Sequence, residues 1–191
     1  MRSVTVFAAI LIANLPVLSI KAKDTIRDKS PDGKFALEIT KEDEGWAAAI
    51  VNVKTNENVA GLDVYQNYTE DAHLVWSKDS QRVAYFEPDR RGGSTTVYFR
   101  NDSKFEEVSL LEVDIPVCEE KASEQGANVT YLKTIEATTK PVKWLSSGEL
   151  ILEQHFESEM ENDTTRHCSQ TITMAFDSTH KPSVKSAKPK G

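Results

Sequence analysis

The sequence contains few of the residues on which common catalytic functions depend. It has two cysteines, eight glycines and four histidines among 191 residues. It lacks the G-x-S-x-G motif of serine hydrolases, a Gly-rich phosphate-binding loop and a dinucleotide-binding fingerprint. We therefore expect no catalytic residues of a known class and no cofactor, and a non-enzyme is favoured over an enzyme.

Long apolar segments and a positive surface are also lacking. After residue 22, no run approaches the roughly 18 apolar residues that a membrane-spanning helix needs. The formal net charge is −7 at pH 7, whereas phosphate binding needs a concentrated positive surface. We expect neither a membrane span nor a nucleic-acid ligand.

Residues 1–22 have the features of a cleaved signal peptide. A basic start precedes an apolar run from Val4 to Leu18, which is too short for a membrane span and is interrupted by Asn14 and Pro16. This pattern predicts export, to the cell exterior or to a periplasm.

The two cysteines, Cys118 and Cys168, fit an exported protein. In an oxidising compartment, two cysteines of one small domain usually pair. A bridge between them would close a long loop and contribute ~4 kcal/mol in the chain-entropy description. The alternative, a reactive thiol at Cys168 beside His167, needs a reducing environment. We predict the disulfide.

Three segments of the chain repeat one arrangement of four short runs rich in Val, Ile, Thr and aromatic residues. They cover residues 24–64, 73–111 and 141–187. Turn sequences stand at the same place in each, namely Pro31-Asp32-Gly33, Lys78-Asp79-Ser80 and Ser146-Ser147-Gly148. The pattern predicts an all-β fold of three consecutive four-stranded antiparallel units.

The predicted domain organisation follows from this pattern. A single all-β domain covers 23–182, with an insertion at 112–140 that covers or staples the units. The Lys-, Pro- and Ser-rich residues 183–191 are expected to form a flexible basic tail.

Two of the turn-plus-strand sequences resemble a known repeat. Ser-Pro-Asp-Gly-Lys-Phe-Ala at 30–36 and Trp-Ser-Lys-Asp-Ser-Gln-Arg-Val-Ala-Tyr at 76–85 are similar to the TolB-like β-propeller repeat. The third copy, at 144–152, lacks the Asp and one turn residue. The resemblance implies propeller blades, shaped by these residues, and transfers no functional residue. Because closed propellers have about four to eight blades, three units predict an incomplete propeller. A β-sandwich is the alternative.

Blade topology would gather the long connections at one end of the units, which we call the loop end. These connections cover 41–45, 63–72, 88–93, 112–140 and 157–167. Loops on a rigid scaffold commonly carry binding residues, and Tyr and Arg are favoured contact groups. The alternatives are that the tyrosines pack the insertion onto the units and that the arginines are merely solvated. The predicted binding residues are Tyr65, Tyr68, Arg90, Arg91, Tyr131 and His167.

No metal site is expected. The carboxylates between Glu157 and Asp163 lack the spacing and the glycine of a calcium loop. His155, Glu157 and His167 are the His–carboxylate grouping of the chain, but they lack a zinc-site spacing such as H-E-x-x-H.

These observations favour an exported binding or scaffolding protein. It would contact a protein or an envelope component through the loop end or through an exposed strand edge, and self-association is a further option. One alternative is a small hydrolase that acts on a polysaccharide or peptide through carboxylates. Another is an accessory subunit that completes a larger propeller. Four N-glycosylation patterns would mark surface loops in a eukaryotic protein, at Asn67, Asn101, Asn128 and Asn162.

Overall fold

The computed structural model describes residues 25–65, 68–113, 131–160 and 165–190. These ranges hold twelve β-strands and no helix, so none of their segments is a helix that could cross a membrane. The predicted signal peptide at 1–22, Cys118, Asn67, Asn128 and Asn162 lie outside the described residues.

The strands form three four-stranded units. Unit one contains β1 (Thr25–Arg27), β2 (Phe35–Glu42), β3 (Gly45–Asn52) and β4 (Asn58–Leu62). Unit two contains β5 (His73–Trp76), β6 (Arg82–Asp89), β7 (Gly92–Asn101) and β8 (Lys104–Val108). Unit three contains β9 (Tyr131–Trp144), β10 (Leu150–Met160), β11 (Thr165–Phe176) and β12 (Pro182–Pro189). Neighbouring strands within each unit are antiparallel, which confirms the all-β, propeller-like class.

Units two and three share one sheet, a feature that the repeat pattern does not predict. Its strand order is β12-β11-β10-β9-β7-β6-β5, and β8 pairs with β7. The link is a short parallel pairing of Gly92 with Ala137 and of Gly93 with Thr138. A Cβ atom at Gly92 would collide with the carbonyl oxygen of Ala137, and the backbone φ angle of Gly92 is 126°. Glycine therefore allows β9 to approach β7 here.

Two apolar cores lie between the units. Leu37 and Ile50 of unit one pack with Val83 and Tyr85 of unit two. Ala84 and other unit-two residues pack with Leu150, Leu152, Ile172 and Met174 of unit three. Because alternate residues of β6 enter different cores, this strand is buried on both faces. Unit two is thus the middle layer of the stack.

Two tryptophan side chains link neighbouring units by hydrogen bonds, one between units one and two and one between units two and three. Trp76 Nε1 donates a hydrogen bond of 2.6 Å to the carbonyl oxygen of Asp28. Trp144 Nε1 donates one of 2.9 Å to the carbonyl oxygen of Val75. In unit one, Lys29 occupies the position that Trp76 and Trp144 occupy in units two and three. The same indole hydrogen bond thus joins unit two to unit one and unit three to unit two.

The turns of units one and two close by the same local bonds. Ser30 Oγ donates to Asp32 Oδ1 at 2.7 Å, and Ser77 Oγ donates to Asp79 Oδ1 at 2.6 Å. In unit three, which lacks the Asp, Ser147 Oγ donates to Glu149 Oε2 at 2.5 Å. The unit-three turn begins at Leu145, whose carbonyl oxygen accepts from the N–H of Gly148 as that of Ser77 accepts from Ser80. Ser147 therefore stands at the position of the Asp, and its bond to Glu149 is not equivalent to the bonds of units one and two.

Unit three differs from the predicted boundaries in two ways. β9 begins at Tyr131, so the last ten residues of the predicted insertion at 112–140 form a strand. Residues 183–189 of the predicted flexible tail instead belong to β12. Lys185 pairs with Glu149, and Lys190 Nζ lies 2.6 Å from Glu153 Oε1. These two carboxylates, one just before β10 and one within it, balance the charge of the lysines that make the segment look like a tail.

Candidate functional site

A groove of about 270 Å³ lies at the loop end, where units two and three meet. The β6–β7 hairpin, the middle of β9 and the segment at 68–71 form its sides. Tyr68 and Arg90, two of the predicted binding residues, both line it. The groove is therefore the place where the structure brings part of the predicted surface together.

The hairpin tip is fixed to the neighbouring strand. Asp89 Oδ1 accepts a hydrogen bond of 2.6 Å from the backbone N–H of Arg91. The carbonyl oxygen of Arg91 accepts one of 2.9 Å from the N–H of Ala137 on β9. The side chains of Arg90 and Arg91 remain exposed. The backbone is thus anchored, while the guanidinium groups are available for contact.

An aromatic side chain forms the base of the groove. Phe86 is buried, and the ring of His73 lies 5.3 Å from it between centroids. Lys140 Nζ lies 5.1 Å from the centroid of Phe86, within cation–π range. Thr95 Oγ1 donates a hydrogen bond of 2.5 Å to the carbonyl oxygen of Thr139. These contacts hold the β9 side of the groove in place.

The segment that carries Tyr68 is held by a residue of unit one. The guanidinium of Arg27, on β1, donates to three backbone carbonyl oxygens, at 3.1 Å to Glu70, at 2.5 Å to Ala72, and also to Thr69. Arg27 therefore positions one side of the groove. The sequence gives no signal for this role, because the contact joins β1 to a connection more than 40 residues away.

The groove contains charges of both signs. Asp71, Asp89 and Glu136 contribute carboxylates, and Arg90 and Lys140 contribute cations. In the described ranges, none of these five side chains forms a salt bridge. Their charges are therefore available to a ligand of mixed character.

A carboxyl group with an altered pKa lies on β6 and is not among the residues that line the groove. Burial raises the pKa of Glu87, and the nearby charges of Asp63 and Asp89 raise it further. A glycosidase-like general acid needs a raised pKa at the place where the substrate binds. This arrangement gives the hydrolase alternative no support.

The remaining predicted binding residues are spread along the loop end. Tyr65 is 54% exposed, and its ring centroid lies 6.4 Å from that of Tyr68. His167 lies on β11 and is exposed, with Nδ1 3.8 Å from Glu157 Oε2. Tyr131 is the first residue of β9, and its side chain lies outside the described part of the structure. Sequence reasoning missed Glu136, Thr138 and Lys140, since they lie in the segment read as an insertion.

The strand edges are poor sites for the addition of a partner strand. β1, β4, β5 and β8 have only three to five residues each. β12 is longer, but it carries Lys185 and Lys188 and is bounded by Pro182 and Pro189. Short strands, lysines and prolines are the devices that protect sheet edges. The loop end is therefore the better candidate interface.

The described residues thus define an all-β protein of three stacked, propeller-like units with a groove at one end. No family model matches the chain, and no curated protein is significantly similar to it. Among solved structures, the chain is similar to TolB from Acinetobacter baumannii, with 10% identity and a TM-score of 0.34. The match covers 87% of this chain and 43% of that protein. It is a distant likeness, and nothing about function follows from it.

Proposed function

We propose that this protein is an exported binding or scaffolding protein that contacts a protein partner at the loop end. The observation that carries the proposal is the groove itself, because it joins Tyr68 and Arg90 to charged residues of β9. Its walls are held by backbone and aromatic contacts, so little conformational entropy is lost when a partner binds.

The side chains of the groove favour a protein partner. Tyr and Arg are enriched among residues that dominate protein interfaces. Because Phe86 is buried, the accessible lining of the groove is mainly charged and polar, which suits an extended segment that carries charges of both signs. We expect charge complementarity to set the orientation of that segment.

The test compares the amount of a defined complex that the parent protein recovers with the amount that charge-reversal and truncation variants recover. The oxidised mature protein is immobilised, incubated with envelope extract of its source, and the complex is measured by size-exclusion light scattering. With the partner below saturation, Arg90→Glu and Tyr68→Ala should each lower the recovered complex at least about tenfold, which corresponds to a tenfold weaker Kd and a loss of about 1.4 kcal/mol. Lys78→Glu, at the opposite end, should leave it unchanged.

Folding is checked for every variant by thermal unfolding. Arg90 and Lys78 are both exposed, so neither substitution should shift the midpoint by more than a few degrees. If the folded Arg90→Glu and Tyr68→Ala variants recover as much complex as the Lys78→Glu control, the groove is not the interface and the proposal is wrong.

Export, the disulfide and the TolB-like repeat are parts of the same proposal. The apolar run before residue 22 supports cleavage and a secreted or periplasmic location. The absence of a free cysteine among the described residues supports pairing of Cys118 with Cys168. Intact mass should show loss of residues 1–22, and non-reducing peptide mapping should find the bridged pair. Two free thiols in exported protein would refute the bridge.

A further inference from the structure

The four histidines fall into two groups. The ring of His180 stacks on Phe99 with centroids 4.0 Å apart, and that of His73 lies against Phe86. Aromatic packing therefore accounts for these two. His155 and His167 lie instead against each other, with ring centroids 6.0 Å apart and an angle of 20° between the planes.

A glutamate stands beside this histidine pair. In the β10–β11 ladder, Glu157 is directly opposite His167, and His155 is opposite Ser169. His155 and Glu157 are two positions apart on one strand, so both face the same side of the sheet as His167. Glu157 Oε2 lies 3.8 Å from His167 Nδ1. Two imidazoles and one carboxylate are thus gathered on one surface of the sheet.

We propose that His155 and His167 chelate one divalent transition-metal ion of the zinc and copper class, with Glu157 beside them as an orienting carboxylate. Imidazole nitrogen suits these ions, whereas Mg²⁺ and Ca²⁺ prefer oxygen ligands. A carboxylate next to a metal-bound imidazole fixes its orientation and raises its basicity.

The site is a two-imidazole chelate and not a closed structural site. In the described part of the chain, no group of three or more ligands is already gathered around one point. Metal–nitrogen bonds of about 2.0–2.1 Å require the two rings to rotate towards each other. Because the His167 side chain is 60% exposed, its ring meets little resistance. The remaining coordination positions are open to water or to a partner's side chain.

The test is calorimetric titration of the untagged protein with ZnCl₂ and, separately, CuCl₂. One ion should bind per chain, with Cu²⁺ tighter than Zn²⁺, as the general stability order requires. MgCl₂ and CaCl₂ should give no binding. Mutation of a residue that only supports a metal ligand weakens metal affinity about 10- to 100-fold. Loss of a ligand itself should weaken it at least as much, so His155→Asn and His167→Asn should each weaken metal binding by at least about tenfold.

His180→Asn is the matched control, since it removes an imidazole that packs on Phe99 and should leave the affinity unchanged. Far-ultraviolet circular dichroism confirms that each variant is folded. The proposal is overturned if Zn²⁺ and Cu²⁺ do not bind. It is also overturned if the folded double variant His155→Asn/His167→Asn binds them as tightly as the parent protein.

Discussion

Replacing Trp144 by Phe tests the bond that ties unit three to unit two. The substitution keeps an aromatic ring beside Phe99 and Phe176, but it removes the N–H that donates to Val75. A net hydrogen bond contributes about 0.5–1.5 kcal/mol, and a buried carbonyl left without its donor costs about 1–3 kcal/mol. The Arg82 guanidinium, 5.3 Å from the indole centroid, also loses its preferred partner.

We therefore expect Trp144→Phe to lower the free energy of unfolding by roughly 2–3 kcal/mol. The measurement is urea unfolding followed by circular dichroism at a β-sheet wavelength. Trp76→Phe should show a loss of similar size, because its indole makes the same bond to Asp28. Trp46→Phe is the control, since Trp46 is 37% exposed and surface substitutions change stability by less than about 0.5 kcal/mol. Equal stability of the Trp144→Phe and Trp46→Phe variants would refute the reasoning.

Two further predictions concern the groove and its neighbourhood. Arg27→Met removes charged donors from three carbonyl oxygens, so amides at 68–72 should exchange hydrogen faster; exchange equal to that of Lys29→Met would contradict the positioning role. Because burial and nearby carboxylates raise the pKa of Glu87, ionisation disfavours the folded state, and stability falls as the pH rises through that pKa. In urea unfolding, the free energy of unfolding of Glu87→Gln should therefore equal that of the parent protein below roughly pH 4 and exceed it at pH 7. A lower free energy of unfolding for the variant at pH 7 would contradict this.

Local chemistry made the turns and the number of strands predictable. The Ser30–Asp32 and Ser77–Asp79 bonds depend only on residues two positions apart. The apolar residues Phe35, Leu37 and Ile39 alternate along β2 and so predict one buried face of that strand. All three lie in the core between units one and two. Such features need no knowledge of distant residues, so the repeat pattern identified them.

Features that depend on distant neighbours were not predictable. The β9 segment at 131–140 reads as a polar insertion, because the Gly92–Gly93 stretch that pairs with it is remote in sequence. Glu136 and Lys140 were therefore missed as groove residues. Lys185 and Lys190 look like part of a solvated tail until Glu149 and Glu153 are known to lie beside them.

The most direct test of the loop-end interface is site-specific photo-crosslinking. A photoreactive phenylalanine derivative is placed at Tyr68 or at Lys140, both of which line the groove. The control positions are Lys78, in the short turn between β5 and β6, and Thr179, in the short turn between β11 and β12, both at the end opposite to the loop end. Irradiation is carried out in intact cells of the source organism. We predict that one and the same protein is captured from both groove positions and from neither control position. Capture from the short turns with none from the groove would contradict the account.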